Sequence, residues 1–192
     1  MKVAVIGSIP RDFGLSKETL KTAAASFAER SRSRVGGVWH EVVVHLVRDA
    51  ASDELHRAIL GETGATDVIT QAYEAIPPEP PGLLGELFVN VDQARRAAPR
   101  RRGWSPAKEL LLYVAHGMDH LSGADDHAST DYRRMRRREL AWLADVLSST
   151  RQLQNPMWQG RPRPCGKAEA ALLHRAYEVL QQPRATKEKG ET

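Results

Sequence analysis

Residues 105–127 read SPAKELLLYVAHGMDHLSGADDH, a continuous apolar stretch that ends in a dense group of polar side chains. Ser105 followed by Pro106 predicts a helix start, because proline at the first helical position gives up no N–H that the helix needs. The residues after it are apolar on most sides, which predicts a buried helix. Gly123 predicts the end of that helix. We therefore expect this segment to lie in the hydrophobic core, with its polar end at residues 116–127.

Two histidines near the end of the predicted helix suggest a metal site. His116 and His120 are four residues apart, so their side chains lie one turn apart on the same face. Gly123 allows a sharp reversal that brings a third ligand back, from Asp126 or His127, with the fourth position left to water. Histidines four apart also occur in helices without metal, but two imidazoles in apolar surroundings need partners, and one ion satisfies both. Zinc is the expected metal.

The pattern differs from that of zinc peptidases at one position. In those enzymes a glutamate directly follows the first histidine and acts as the general base. Gly117 stands there in this chain. A peptidase therefore stays a minor alternative, which would need Asp119 or Asp125 to take over as the base.

Composition limits the class of protein. The chain has 192 residues, 41% hydrophobic and 27% charged, which indicates one globular domain with room for a short appendage. Its single cysteine, Cys165, excludes a cysteine-rich zinc knuckle and an intramolecular disulfide. No apolar run reaches the roughly 20 residues of a membrane span, and no secretory signal begins the chain. These features predict a soluble cytoplasmic protein with no membrane partner.

The order of predicted elements indicates an α+β fold. We expect a single domain over residues 1–150 and a C-terminal extension over 151–192, helical at 167–181 with a disordered end. Strands are predicted at residues 3–6, 39–47, 66–73 and 85–91. Helices are predicted from the cap Ser16 to about Arg30, after the cap Ser52, after the cap Asp92, from Pro106 and from about Thr130. The last of these should bury Met135, Trp142, Leu143 and Val146 and expose its arginines.

Arginines cluster on both sides of the histidine stretch, at residues 95–102 and 133–138. The net charge is only +4, so the clusters matter more than the total. Taken alone, each is as compatible with a solvated face as with a nucleic-acid-binding surface.

Residues 116–127 resemble the signature HGxLHLxGYDH of the YbeY family, metal-dependent endoribonucleases of ribosomal RNA maturation. TDVIT at 66–70 is similar to the family's TDVLSF strand, and LGELFVN at 84–90 is similar to its LGDIVI strand. The resemblance covers about residues 39–147. It implies a small mixed β-sheet packed by helices, with a central metal-binding helix in a zincin-like arrangement. It also implies cleavage of single-stranded RNA, with ribosomal RNA and the ribosome as partners.

The chain departs from the family pattern at several positions. The third histidine of the signature falls ten residues after the first, which here is Asp126, with His127 one residue later. Some relatives read GYDD, so the resemblance favours Asp126 as the ligand. Asp119 replaces the signature's leucine and Ala124 its tyrosine. Leu60 stands where the family has an arginine six residues before TDV, and Arg57, one turn earlier, can take its place.

These observations lead to one main hypothesis and two alternatives. In the main hypothesis His116, His120 and Asp126 hold zinc for RNA hydrolysis, while Asp125 or His127 orients water, moves a proton or steadies a ligand. The predicted RNA-binding residues are Arg57, Arg101, Arg102, Arg133 and Arg137. The first alternative is a non-catalytic ribosome-associated factor with a structural metal. The second is a metal-dependent hydrolase of another substrate, such as a peptide. The sequence does not predict the oligomeric state.

Overall fold

A mixed sheet of four strands forms one layer of the fold. The computed structural model describes residues 1–35, 38–76, 82–100 and 103–149. Within these ranges the strands are β1 (Lys2–Ile6), β2 (Trp39–Val47), β3 (Val68–Glu74) and β4 (Leu83–Asn90), in the order β1-β2-β4-β3. The strands β1, β2 and β4 are parallel, and β3 runs antiparallel to β4 at the edge.

Five α-helices accompany the sheet in the described part of the chain. They are α1 (Lys17–Val35), α2 (Asp49–Leu60), α3 (Val91–Ala97), α4 (Pro106–Leu121) and α5 (Ser129–Ser149). Short 3₁₀ turns occur at Arg11–Phe13 and Ala98–Arg100. The α+β class and the mixed sheet are therefore as predicted.

Side chains along the strands point alternately to the two faces of the sheet, and the core therefore has two parts. The residues Val42, Val44 and Leu46 of β2 are buried in the main core with α1 and α4. Val47, Ile69 and Phe88 point to the opposite face, where Leu55 of α2 covers them in a smaller cluster. In β2 the face towards α1 and α4 is apolar from Val42 to Leu46, whereas the opposite face carries His45 as well as Val47.

The helix α4 occupies the centre of the molecule. It packs against β3, β4, α1, α3 and α5, and most of its residues are buried. Its approach to the sheet is close at Gly117, where an added Cβ would lie 2.6 Å from Cδ2 of Leu87 and 3.0 Å from Cγ2 of Val68. A Cβ at this position would force the Leu87 methyl group to shift, so Gly117 allows the histidine-bearing turn to lie close to β3 and β4.

The N-terminal caps were predicted with mixed success. Ser105 caps α4 as expected, since its Oγ accepts from Lys108 N–H at 3.3 Å. Ser52 does not begin a helix: α2 starts at Asp49, and the buried Ser52 hydroxyl bonds the backbone of Thr66 instead.

The prediction that Asp92 caps the next helix was also wrong. The side chain of Asn90 accepts from the N–H groups of Asp92 and Gln93, and Asp92 forms an ion pair with Arg48. Its carboxylate therefore pairs with an arginine that directly follows β2 and does not cap α3. The prediction for α1 was too short, because the helix continues to Val35.

The helix α5 buries Met135, Trp142, Leu143 and Val146, as expected. Its arginines do not all lie on the solvent face, which corrects the prediction. Arg138 reaches inward to a fully buried aspartate, so charge as well as apolar packing joins α5 to α4. The predicted C-terminal extension, with its helix at 167–181, lies outside the described residues. Among the described helices, none combines the length and apolar character that a bilayer crossing requires.

Candidate metal centre

The last two turns of α4 bring two imidazole rings together. The Nε2 atoms of His116 and His120 lie 3.1 Å apart, with the rings edge to face at 4.4 Å between centroids. The side chain of His116 is 11% exposed and that of His120 is 28% exposed. The pair therefore sits at the edge of the core, with one ring reaching towards solvent.

The second nitrogen of each ring has a fixed partner. His116 Nδ1 lies 2.6 Å from Oε1 of Glu139, and His120 Nδ1 lies 3.1 Å from the carbonyl oxygen of Ala124. A carbonyl and a carboxylate accept hydrogen bonds, so each Nδ1 carries the proton. With both rings neutral, the two Nε2 lone pairs face each other at 3.1 Å and repel, so this arrangement favours a positive charge between them, either a metal ion or a proton on one ring.

The chain reversal after α4 adds a carboxylate. Gly123 adopts φ 82°, in the left-handed region, and its N–H donates to the His120 carbonyl at 2.8 Å. The turn brings Asp126 Oδ2 to 3.8 Å from His116 Nε2 and Oδ1 to 3.9 Å from His120 Nε2. Ligand atoms of the three side chains all lie within 4.8 Å of one another.

This donor set fits a zinc ion. Bonds of 2.0–2.2 Å in a tetrahedron place neighbouring ligand atoms about 3.3 Å apart, and the observed separations are 3.1, 3.8 and 3.9 Å. A small movement of the Asp126 carboxylate towards the two Nε2 atoms would bring the triangle of all three ligand atoms to this spacing. Two lone pairs and a carboxylate facing one point are the chemistry that a divalent cation satisfies.

The environment of His116 favours a positive charge at this point. Burial lowers the pKa of His116, but the hydrogen bond and the charge of Glu139 raise it more strongly, so the net shift is upward. The same electrostatic attraction that favours the imidazolium also favours a metal ion on Nε2.

His127 and Asp125 lie outside the triangle. The His127 side chain is 93% exposed and that of Asp125 is 68% exposed. Asp125 Oδ1 accepts from His127 N–H at 3.1 Å, and this hydrogen bond lowers the pKa of Asp125. The ligand atoms of Asp125, Asp126 and His127 also lie within 4.8 Å of one another. The structure thus brings Asp126, and not His127, to the histidine pair.

The departure at Asp119 has a structural explanation. Asp119 is fully buried and receives Arg138, with Nε 2.8 Å and Nη2 2.6 Å from Oδ2. A carboxylate tied in this way has no access to a substrate, so Asp119 cannot be the base that the peptidase alternative requires. An apolar position of the signature has become a buried ion pair between α4 and α5.

Glu139 and Arg138 were missed as parts of the site. A signal for Glu139 was present, because it lies four residues after Met135 and three before Trp142, on the apolar stripe of α5. A carboxylate on such a stripe must have an internal partner. The sequence did not indicate that this partner would be His116.

The predicted RNA-binding arginines fall into three groups. Arg133 and Arg137, one turn apart on α5, are exposed and have no carboxylate partner within the described residues. Arg57 is paired with Asp53 at 2.6 Å. Arg101 and Arg102 lie outside the described residues. Arg133 and Arg137 are therefore two arginines without a carboxylate partner in the described part of the chain, and they follow the loop that carries Asp126.

A mixed sheet crossed by a buried helix that presents two histidines and a carboxylate at an open edge is the arrangement of a metal-dependent hydrolase. The model of one family, described as Endoribonuclease YbeY, matches residues 11–147. The chain belongs to the YbeY family of endoribonucleases.

Individual relatives agree with this assignment. The protein named Endoribonuclease YbeY from Rhodopirellula baltica is 36% identical over 125 residues, 65% of this chain and 63% of that protein. The protein of the same name from Anaeromyxobacter is 34% identical over 142 residues, which cover 72% of this chain and 69% of that protein. The one from Thermus thermophilus is 39% identical over 97 residues, which cover 50% of this chain and 69% of that protein. The chain thus spans about two thirds of the length of these relatives.

A solved structure supports the fold. The solution structure of TM1509 from Thermotoga maritima matches with a TM-score of 0.50 at 22% identity, covering 78% of this chain and 91% of the other. At this identity the likeness concerns the fold alone.

Proposed function

We propose that the chain is a zinc-dependent endoribonuclease that cleaves single-stranded RNA during ribosomal RNA maturation, in the cytoplasm and in association with the ribosome. The observation that carries this proposal is the convergence of two Nε2 lone pairs and the Asp126 carboxylate. Family membership supports the RNA substrate. Ribosomal RNA and the ribosome as partners follow from the same family.

In this proposal His116, His120 and Asp126 hold the ion. When bound, zinc supplies Lewis-acid polarisation of a phosphoryl oxygen and lowers the pKa of a water molecule. The side chains of His120 and Asp126 are 28% and 27% exposed, so the metal-facing side of the site is open to a substrate. Openness favours catalysis over a structural role, because structural zinc sites are closed by four protein ligands.

Asp125 and His127 are proposed to assist the reaction, Asp125 by orienting a neighbouring group and His127 by carrying a proton. Both are adjacent to Asp126 in the chain and reach solvent. The lowered pKa of Asp125 keeps it ionised at neutral pH, so it orients His127 or a water and does not donate a proton. His127, free in solvent, exchanges protons with the water that attacks or with the leaving oxygen.

The exposed side chains of Arg133 and Arg137 are proposed to bind phosphates of the RNA on either side of the cleaved bond. Their guanidinium groups are not engaged with carboxylates of the described residues, so binding RNA breaks no ion pair. Arg57 is a weaker candidate, since it must first release Asp53. Arg101 and Arg102, which lie outside the described residues, are also proposed to bind RNA phosphates.

Removal of the metal tests the catalytic role. Chelation is expected to abolish cleavage of single-stranded RNA and to leave the far-ultraviolet circular dichroism spectrum unchanged, because α4 is buried by apolar contacts that do not involve the metal. Zinc added back should restore cleavage. Chelated protein that still cuts at the original rate contradicts the proposal, and loss of fold together with the metal favours a structural site.

The phosphate contacts can be tested by salt dependence. The double variant Arg133→Ala/Arg137→Ala is expected to bind single-stranded RNA more weakly and to reduce the slope of log K against log salt by about 1.4, from about 0.7 per phosphate. Arg30→Ala is the matched control, because Arg30 is already paired with Asp145 at 3.0 Å. Equal slopes for the wild type and the double variant would exclude these two arginines.

A further inference from the structure

A buried carboxylate on α5 contacts the metal site from behind. Glu139 is 1% exposed, and its Oε1 lies 2.6 Å from Nδ1 of His116, on the opposite side of the ring from the metal-facing Nε2. Its neighbours along the same stripe are apolar, including Met135 and Trp142. Burying a carboxylate among them is costly unless it is paired and hydrogen-bonded, so other groups must compensate its charge.

Two groups compensate Glu139. His116 N–H is the first, through Oε1. Arg136 is the second: its Nη1 lies 3.2 Å from Oε2 in an ion pair whose atoms are buried but not aligned as a hydrogen bond. Because Arg136 occupies Oε2, the other oxygen faces His116. The carboxylate is thus oriented from both sides.

The position of α5 is fixed next to this contact. Arg138, the preceding residue, is held by Asp119 on α4, and Asp119 lies three residues after His116. Two consecutive residues of α5 therefore contact one turn of α4. This two-point attachment restricts both the rotation of α5 and its sliding along α4, so Glu139 cannot drift away from the His116 ring.

We propose that Glu139 is a positioning residue of the metal centre, which holds His116 in the Nδ1–H tautomer and aims its Nε2 lone pair at the ion. The proposal rests on the metal site proposed above. A charged acceptor on Nδ1 also makes His116 a stronger donor than His120, whose Nδ1 meets only the Ala124 carbonyl. Glu139 does not touch the substrate in this role.

The test measures zinc binding and the tautomer, without RNA. In Glu139→Ala the zinc dissociation constant, measured by competition with a chromophoric chelator, is expected to rise about 10- to 100-fold, the range for losing such a partner. Nitrogen-15 chemical shifts of His116 in the metal-free protein, recorded at a pH high enough for the ring to be neutral, should report a single Nδ1–H tautomer in the wild type and a mixture in the variant. A folded variant with the wild-type dissociation constant and tautomer would overturn the proposal.

Two further variants make the result specific. Glu139→Gln keeps the shape and one acceptor oxygen but removes the charge, so about a tenfold weakening is expected even if the alanine variant fails to fold. An unchanged constant in Glu139→Gln overturns the role of the charge. Glu86→Gln is the matched control, because Glu86 contacts His45 Nε2 at 3.1 Å in the sheet, and its zinc affinity should stay at the wild-type value.

The outcomes separate this inference from the nuclease proposal. A wild-type protein that binds zinc but cuts no RNA contradicts the nuclease and leaves the role of Glu139 standing. If the wild-type protein cuts RNA but the Glu139 variants bind zinc normally, the nuclease proposal stands and the role of Glu139 is contradicted.

Discussion

Replacing Arg138 with leucine is expected to lower the free energy of unfolding by about 3–5 kcal/mol, the cost of leaving a buried charge without its partner. Asp119 is fully buried and would keep only the Ser122 hydroxyl, 3.4 Å from Oδ1. For a domain of this size the loss corresponds to a fall in Tm of about 6–20 °C. Urea denaturation followed by circular dichroism measures it.

The double variant Asp119→Leu/Arg138→Leu separates charge from packing. It is expected to recover most of the lost stability, because replacing both members of a buried ion pair with apolar side chains is often neutral or better. Arg134→Leu serves as the control, since its ion pair with Asp131, at 3.6 Å, is exposed. That change should stay within about 0.5 kcal/mol. A single Arg138→Leu variant as stable as this control would contradict the buried ion pair.

The Asp126→Ala variant is expected to lose RNA cleavage by more than about 100-fold, beyond the effect of removing a group that only orients a ligand. Without this carboxylate the ion keeps two imidazoles, too few for a stable site. Loss of the negative charge also weakens the electrostatic attraction that holds a cation beside the two Nε2 atoms. Cleavage of a single-stranded RNA oligonucleotide under single-turnover conditions measures the rate.

The His127→Ala variant, unlike Asp126→Ala, should keep its metal. Its side chain lies in solvent outside the ligand triangle, so the metal should remain bound, and any loss of rate should come from slower proton transfer. Equal loss of bound metal in the two variants would contradict this distinction.

Local signals in the sequence predicted much of the fold. The Ser105–Pro106 start, the apolar run after it and the Gly123 turn defined α4, and the β-branched run at 39–47 defined β2. These signals succeed because a cap, a glycine reversal or a strand buried on both faces imposes its own residue types over a short stretch. Helix starts after β2 and β4 were wrong, since Ser52 and Asp92 are used by contacts with residues distant in the chain.

The candidate site was only partly predictable for the same reason. The histidine spacing and the glycine turn indicated the triangle of His116, His120 and Asp126, because all three belong to one helix and the loop after it. Glu139 and the Asp119–Arg138 pair depend on how α5 crosses α4. That crossing is set by tertiary packing, which no local pattern specifies.

Elemental analysis of zinc in the wild type, Asp126→Ala and His127→Ala, purified identically and followed by the RNA cleavage assay on the same samples, tests whether zinc on Asp126 is required for cleavage. We expect about one zinc ion per chain in the wild type and in His127→Ala, and neither zinc nor cleavage in Asp126→Ala. Zinc retained in Asp126→Ala but lost from His127→Ala, or cleavage that persists without zinc, would contradict this requirement.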